Sequence, residues 1–245
     1  MTATPTPVVL LHGMRVTSSM WGPVGDRLAR RRPTAHPDLP GHGTRRAEEF
    51  TVAAAVDLVR GTVAELGGPA LLVGHSLGGF IAIATAARHP ELVRGLVAIG
   101  CSAAPRGAGL AAYRAYGRLL AGNPERSDRL SDRGFRSQLP ADVYQALAAG
   151  GYDSAVSTAV VQEIGALDPI AELGGYAGPV WLLNGGWDQF RMGESRFLDA
   201  CQDGRLTVWP RLTHVSIIGQ TDRLTRFVED ACAVVDHRRE LGDGD

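Results

Sequence analysis

The chain has 245 residues, enough for one large domain with a substantial core, and its 44% hydrophobic and 21% charged side chains are the balance of a soluble globular protein. Its 25 basic side chains against 26 acidic ones leave a formal net charge of −1, which argues against nucleic acid or an anionic membrane as the main partner. No apolar run reaches the roughly eighteen residues needed to span a bilayer, and the first ten residues carry no charged-then-apolar export pattern.

In chain order, residues 1–7 form a short polar lead, and Val8-Val9-Leu10-Leu11 is a fully apolar strand that ends at His12-Gly13-Met14. After a loop over 15–20, Trp21 opens a helix with Trp21, Val24 and Leu28 at helical spacing; Trp21 fits core or pocket wall. Arg32-Pro33 ends that helix, and residues 34–39 read as a further strand in which Pro37 suits an edge or an end. Pro40-Gly41-His42-Gly43 makes a tight turn. Over 51–66, Val52, Val56, Val59, Val63 and Leu66 alternate in steps of four and three, the pattern of an amphipathic helix laid on a sheet, and Gly67-Gly68-Pro69 stops it.

The centre of the chain is Ala70-Leu71-Leu72-Val73-Gly74-His75-Ser76-Leu77-Gly78-Gly79-Phe80-Ile81-Ala82. A short apolar run suits a buried strand, and a second one, over 77–87, shows no polar face until Arg88 and reads as a buried helix. Gly74-x-Ser76-x-Gly78 between them is the pattern of a nucleophile elbow: the serine is held in a strained backbone, and its neighbours lack side chains so that strand and helix can approach. The motif alone is a weak signal in a chain with 31 glycines; the strand before it and the helix after it give it weight.

Residues 93–100 contain the strand Leu96-Val97-Ala98-Ile99. Strands alternating with helices imply right-handed crossovers, a mostly parallel sheet with helices on both faces, and ligands at the carboxyl ends of the strands. The alternation breaks between 104 and 175, where helical patterns over 110–120 and 142–149 are separated by glycine and proline turns; this stretch is expected to be a helical cap inserted into a core of residues 1–103 and 176–245. Its aromatics Tyr113, Tyr116, Phe135, Tyr144 and Tyr152 are candidates to line a pocket, although each fits cap core or surface as well. Order resumes with a strand over 179–183 that runs into Asn184-Gly185-Gly186-Trp187-Asp188, followed by a helix over 194–201 and a strand over 206–209. Pro210-Arg211-Leu212-Thr213-His214 is the loop after it. A last helix over 221–235 buries Leu224, Phe227, Val228, Ala231 and Val235, and residues 236–245 read as a frayed polar tail.

Taken together, these motifs resemble the α/β-hydrolase-fold enzymes of the esterase and lactonase kind over nearly the whole chain. His12-Gly13 resembles the family's oxyanion turn, Asp38-Leu39-Pro40-Gly41-His42-Gly43 a further family loop, and Gly74-His75-Ser76-Leu77-Gly78-Gly79 its elbow; Asp188 and His214 fall where the family carries its acid and its histidine. Two departures stand out. Few residues precede the Val8 strand, so the family's first two strands are expected to be absent or vestigial and the sheet to have about six strands. Thr213 replaces the usual glycine before His214, and Gln189-Phe190-Arg191 lacks the customary proline.

The resemblance implies a Ser76, His214 and Asp188 triad with an oxyanion hole made by the backbone N–H groups of Met14 and Leu77. A serine hydroxyl needs an imidazole to take its proton, and the imidazole needs a carboxylate to hold its tautomer. An aspartate at 188 also fits a helix cap. The strand over 93–100 ends in Cys101-Ser102-Ala103, so no rival acid follows it. The implied reaction is hydrolysis of an ester, lactone or thioester of a small to medium apolar substrate through an acyl-enzyme, with a pocket drawn from Trp21, Tyr113, Tyr116 and Tyr144. Ser76 excludes haloalkane dehalogenase and epoxide hydrolase chemistry, which need an aspartate at the elbow. The same triad serves carbon-carbon bond hydrolases, lyases, perhydrolases and acyltransferases, and a ligand-binding or biosynthetic accessory protein on this scaffold is the alternative of another class.

The remaining expectations are a small-molecule partner, no metal and no organic cofactor. Cys101, Cys201 and Cys232 are odd in number and widely spaced, which fits neither a disulfide framework nor a metal site and points to a reducing cytoplasm. All 25 basic side chains are arginine, a bias of GC-rich genomes that suggests a bacterial source.

Overall fold

The computed structural model describes residues 4–104 and 107–242. Residues 1–3 of the expected lead, 105 and 106 of the expected insertion, and 243–245 of the expected tail lie outside the described residues.

The elements run β1 (Val8–Leu11), α1 (Gly22–Ala29), β2 (Thr34–Ala35), α2 (Val52–Glu65), β3 (Ala70–His75), α3 (Leu77–Arg88) and β4 (Val93–Ile99). Next come α4 (Gly107–Gly122), α5 (Pro124–Gln138), α6 (Ala141–Ala149), α7 (Ser157–Ile164) and α8 (Pro169–Gly174). The chain then resumes with β5 (Pro179–Gly185), α9 (Glu194–Ala200), β6 (Asp203–Trp209) and α10 (Thr221–Gly242). Among the described residues the six strands form one sheet in the order β2-β1-β3-β4-β5-β6, and all five pairings are parallel.

A parallel sheet must be covered on both faces, and the strands are apolar on both sides accordingly. Val9, Leu11, Leu72 and Leu182 face one core, closed by α2, α3, α8 and α9; Val8, Leu10, Val73 and Leu183 face the other, closed by α1 and α10. α3 is buried along nearly its whole length, as its lack of a polar face predicts.

Between β4 and β5 the described residues contain helices and no strand. α4 packs on α7, and α6 on α1 and on the short 3-10 helix Ser18–Trp21. α8 behaves differently: it packs on α3 and α9 and buries Leu173, so it belongs to the layer that covers the sheet.

Two expectations are corrected here. β2 is only two residues long and ends before His36, because Pro37 has no N–H for a ladder and the Asp38 carboxylate turns to accept from Ser18 N–H and Thr44 N–H at 2.8 and 2.9 Å. Burial works against the Asp38 charge, but these bonds and the Thr44 hydroxyl outweigh it and hold the carboxyl down at about 2. The polar tail is not frayed over its described part: α10 continues to Gly242, and Asp236 accepts from Thr6 N–H at 2.9 Å and pairs with Arg32 at 3.2 Å. Among the described residues, no helix is long and apolar enough to cross a membrane.

Candidate active site

The carboxyl ends of β1, β3, β4, β5 and β6 meet at one edge of the sheet and bring together residues far apart in sequence. At the end of β3, Ser76 has φ 54° and ψ −115°, a left-handed conformation that costs a non-glycine residue about 1–3 kcal/mol. Its neighbours explain how the turn closes. A Cβ on Gly74 would run into the Gly78 carbonyl, and one on Gly78 into the Leu11 carbonyl. Ser76 N–H donates to Ile99 O at 2.8 Å, which ties the turn to β4.

Asp188 and His214 leave β5 and β6 on adjacent loops. Gly186 N–H donates to Trp209 O and Trp187 N–H to Leu212 O, at 2.8 and 2.9 Å, so the two loops are laced together. Asp188 is buried; its Oδ1 accepts from Phe190 N–H at 2.8 Å, and its Oδ2 lies 2.9 Å from His214 Nδ1. The carboxylate therefore fixes the imidazole as the Nδ1–H tautomer and leaves Nε2 with its lone pair. The Phe190 ring meets the His214 ring edge-on at 4.7 Å and the His75 ring lies 4.6 Å away on a tilt.

The departures from the family pattern have local reasons. Thr213 Oγ1 accepts from Ser216 N–H at 3.0 Å, Ser216 Oγ accepts from Thr213 N–H at 2.8 Å, and Thr213 Oγ1 also donates to Gln138 Oε1, at the end of α5, at 2.8 Å. A glycine could make neither side-chain bond. After Asp188, Arg191 grips Glu194 through two nitrogens, and Glu194 Oε2 accepts from Asn184 Nδ2 at 3.1 Å. The Arg191 guanidinium accordingly holds the Glu194 carboxyl below its usual range, against a smaller effect of burial.

On the other side, His12 and His42 hold the turn over 13–15. His12 Nδ1–H donates to Gly13 O at 2.8 Å and its Nε2 accepts from Leu39 N–H at 2.9 Å; His42 Nδ1–H donates to Pro40 O at 3.0 Å and its Nε2 accepts from Arg15 N–H at 3.2 Å. Burial pushes both imidazoles down, His12 to about 3, so both are neutral and each uses both ring nitrogens. His75 is likewise pushed down to about 3 by burial and by His214, and its Nε2–H donates to His214 O at 3.0 Å. Among the described residues, the N–H groups of Met14 and of Leu77, the first residue of α3, have no acceptor, and α3 points its positive end at Ser76.

A cavity of about 420 Å³ opens over this edge and is lined by Ser76, His214, Met14, Tyr113, Tyr116 and Phe190, among others. A second, of about 410 Å³, adjoins it on the side of Phe80, Ala104, Leu110 and Ile164 and shares Ser76, Tyr113 and Tyr116 with the first. The structure thus brings Ser76, Asp188, His214, Met14, Tyr113 and Tyr116 to one place.

Trp21 and Tyr144 are elsewhere, and both expectations are corrected. Trp21 is fully buried in the core beneath β1, with Val24 and Leu28. The Tyr144 hydroxyl donates to Asp132 Oδ1 at 2.8 Å, as does that of Tyr152 at 3.0 Å, which draws both rings into the packing of α5 on α6. Sequence reasoning missed Phe190, Gly100 and Arg15. The apolar residue two beyond Asp188 was a usable signal for Phe190; nothing local marks the other two. Among the described residues, no three His, Cys, Asp or Glu side chains cluster as a metal site would require.

Comparison with known proteins agrees with this fold. The model of a family described as the alpha/beta hydrolase family matches residues 8–231. Over 90 residues the chain is 41% identical to the pimeloyl-[acyl-carrier protein] methyl ester esterase of Neisseria meningitidis serogroup B; the stretch is 36% of this chain and 34% of that enzyme. The chain thus matches about a third of the length of these curated relatives. Among solved structures, E-2-(acetamidomethylene)succinate hydrolase superposes with a TM-score of 0.74 at 24% identity, over 93% of this chain and 92% of the other. A thermophilic esterase from Thermogutta terrifontis gives 0.76 at 20% identity, over 96% and 92%. At these identities the likeness is one of fold.

Proposed function

Because the chain belongs to the alpha/beta hydrolase family, we propose that it is a hydrolase that cleaves an ester, thioester or lactone of a small to medium substrate through an acyl-enzyme on Ser76. The observation that carries this reading is the 2.9 Å pairing of His214 Nδ1 with the buried Asp188 Oδ2, on the same cavity as a serine in a strained elbow. His214 Nε2 takes the proton from Ser76 Oγ as the oxygen attacks the carbonyl carbon. The N–H groups of Met14 and Leu77 receive the resulting oxyanion, each worth about a hundredfold to a thousandfold in rate. The leaving alcohol or thiol departs with the proton from His214, and a water deprotonated by the same nitrogen then releases the acid. In this reading α4 to α7 form a cap that shapes the two cavities, and Tyr113, Tyr116 and Phe190 wall the substrate.

Treatment with a fluorophosphonate followed by intact-mass measurement tests the assignment. Wild type is expected to gain a single phosphonyl group, and Ser76→Ala to gain none and to lose at least about ten thousandfold in kcat on an activated ester. An adduct that persists in Ser76→Ala, or ester turnover that survives in it, refutes Ser76 as the nucleophile.

A further inference from the structure

Among the described residues, Arg15 is the one cationic side chain on the wall of the Ser76 cavity, and neither that cavity nor its neighbour under α4 and α5, of about 480 Å³, is lined by any Asp or Glu. Among the described residues its guanidinium makes a single hydrogen bond, from Nη1 to Ser131 Oγ at 2.6 Å, and it lies 6.0 Å from the Tyr116 ring centroid. Among the described residues, the buried Nε has no partner and Arg15 has no carboxylate to pair with. A charge left this way in a half-enclosed space lacks an anion.

The backbone supplies a second, independent observation. Arg15 has φ 71°, where a glycine would sit without strain. It is locked there by His42 on its N–H and by Asp153, whose N–H donates to Arg15 O at 2.9 Å. This conformation turns the side chain of the residue after Met14 into the cavity. An arginine is thus kept, against its backbone preference, beside the proposed oxyanion hole.

From this we infer that the substrate carries a carboxylate, which Arg15 binds in the lobe between α4 and α5, while the apolar lobe beside Phe80 and Ile164 takes the uncharged part. Arg15 is a specificity residue in this assignment. The inference rests on the proposed serine hydrolysis for its kinetics, though not for its binding test. A purely structural arginine, tethering the turn to α5 through Ser131, would affect all substrates alike.

The test compares p-nitrophenyl hemiglutarate with p-nitrophenyl valerate, and 4-carboxyphenyl valerate with its neutral methyl ester, to locate the charge on the acyl or the alcohol side. In Arg15→Met the ratio of kcat/KM, anionic over neutral, is expected to fall about tenfold to hundredfold for at least one pair, mainly through KM. Arg15→Lys should retain part of the preference. Arg15→Gly, which suits the left-handed backbone, should lose it while remaining folded. Ratios unchanged in both pairs, or an equal fall on all four esters, overturn the inference. Calorimetric titration with glutarate separates the two readings: binding to wild type and Ser76→Ala but not to Arg15→Met supports the anion site even if Ser76 proves inert. Equal glutarate binding, or equal lack of it, in wild type and Arg15→Met overturns it.

Discussion

Gly100, the residue after β4, has φ 60°, and a Cβ there would lie 2.9 Å from both Asp188 Oδ2 and His214 Nδ1. The Asp–His pair thus has no room beneath it, and its geometry is set by a residue that has no side chain. Gly100→Ala is expected to lower kcat on an activated ester by about a hundredfold, since displacing reacting groups by about 1 Å costs that much, and to lower the melting temperature through the strained φ. Wild-type kcat in a folded Gly100→Ala protein would show that the pair tolerates displacement. Thr213 belongs to the same scale: its hydroxyl binds both Ser216 and Gln138, so the loop that carries His214 is anchored to α5.

Among elements, α10 departs furthest from expectation. The polar residues after Val235 break the helical apolar pattern, yet Asp236 caps the lead into β1 through Thr6 N–H and meets Arg32 beyond α1. Burial works against the Asp236 charge, and the bonds from Thr6 and Arg32 prevail and lower its pKa. Asp236→Ala is expected to cost about 1 kcal/mol in denaturant unfolding, the worth of a charge-assisted bond discounted for partial exposure, with kcat unchanged. An unchanged unfolding midpoint would mean that the last turns of α10 contribute nothing. α3 shows the opposite case: it is buried on every side and positioned by glycine contacts at its first turn, and its sequence pattern already says so.

For the whole molecule, three buried histidines make stability depend on pH. His12 and His75 are held near 3 and His42 is lowered too, all mainly by burial. Below about pH 6.5 the unfolded chain binds protons at these sites that the native protein refuses, so unfolding takes up protons and stability falls as pH falls. Each contributes a slope of up to about 1.4 kcal/mol per pH unit. Denaturant unfolding from pH 7.5 to 5 is expected to show a steadily falling midpoint, with an uptake at pH 5 of about two protons from His12 and His75, to which His42 adds, measured by calorimetry in buffers of different ionisation heat. A flat profile would mean that all three rings accept protons in place.

Much of this molecule was legible from local pattern. Apolar runs on both faces called for a covered parallel sheet, and the glycines around Ser76 called for a tight strand-to-helix turn. Asp188 and His214 could be placed because each follows a strand, and strand ends converge in a parallel sheet. What local pattern could not decide is which of two compatible surroundings a side chain meets. Trp21 fits core and pocket wall equally by periodicity, and the packing of α1 and α6 put it in the core; Tyr144 turned to Asp132 because a neighbouring helix offered an acceptor. Gly100 and Arg15 were equally silent, for their meaning lies in what other strands and helices bring beside them. The sheet, the elbow and the chain order of Ser76, Asp188 and His214 could be read from the amino-acid string, since periodicity and turn chemistry are encoded in near neighbours. The walls of the cavity, the Arg15 cation within it and the anchoring of α10 came from the folded chain, because those depend on contacts between residues more than a hundred positions apart.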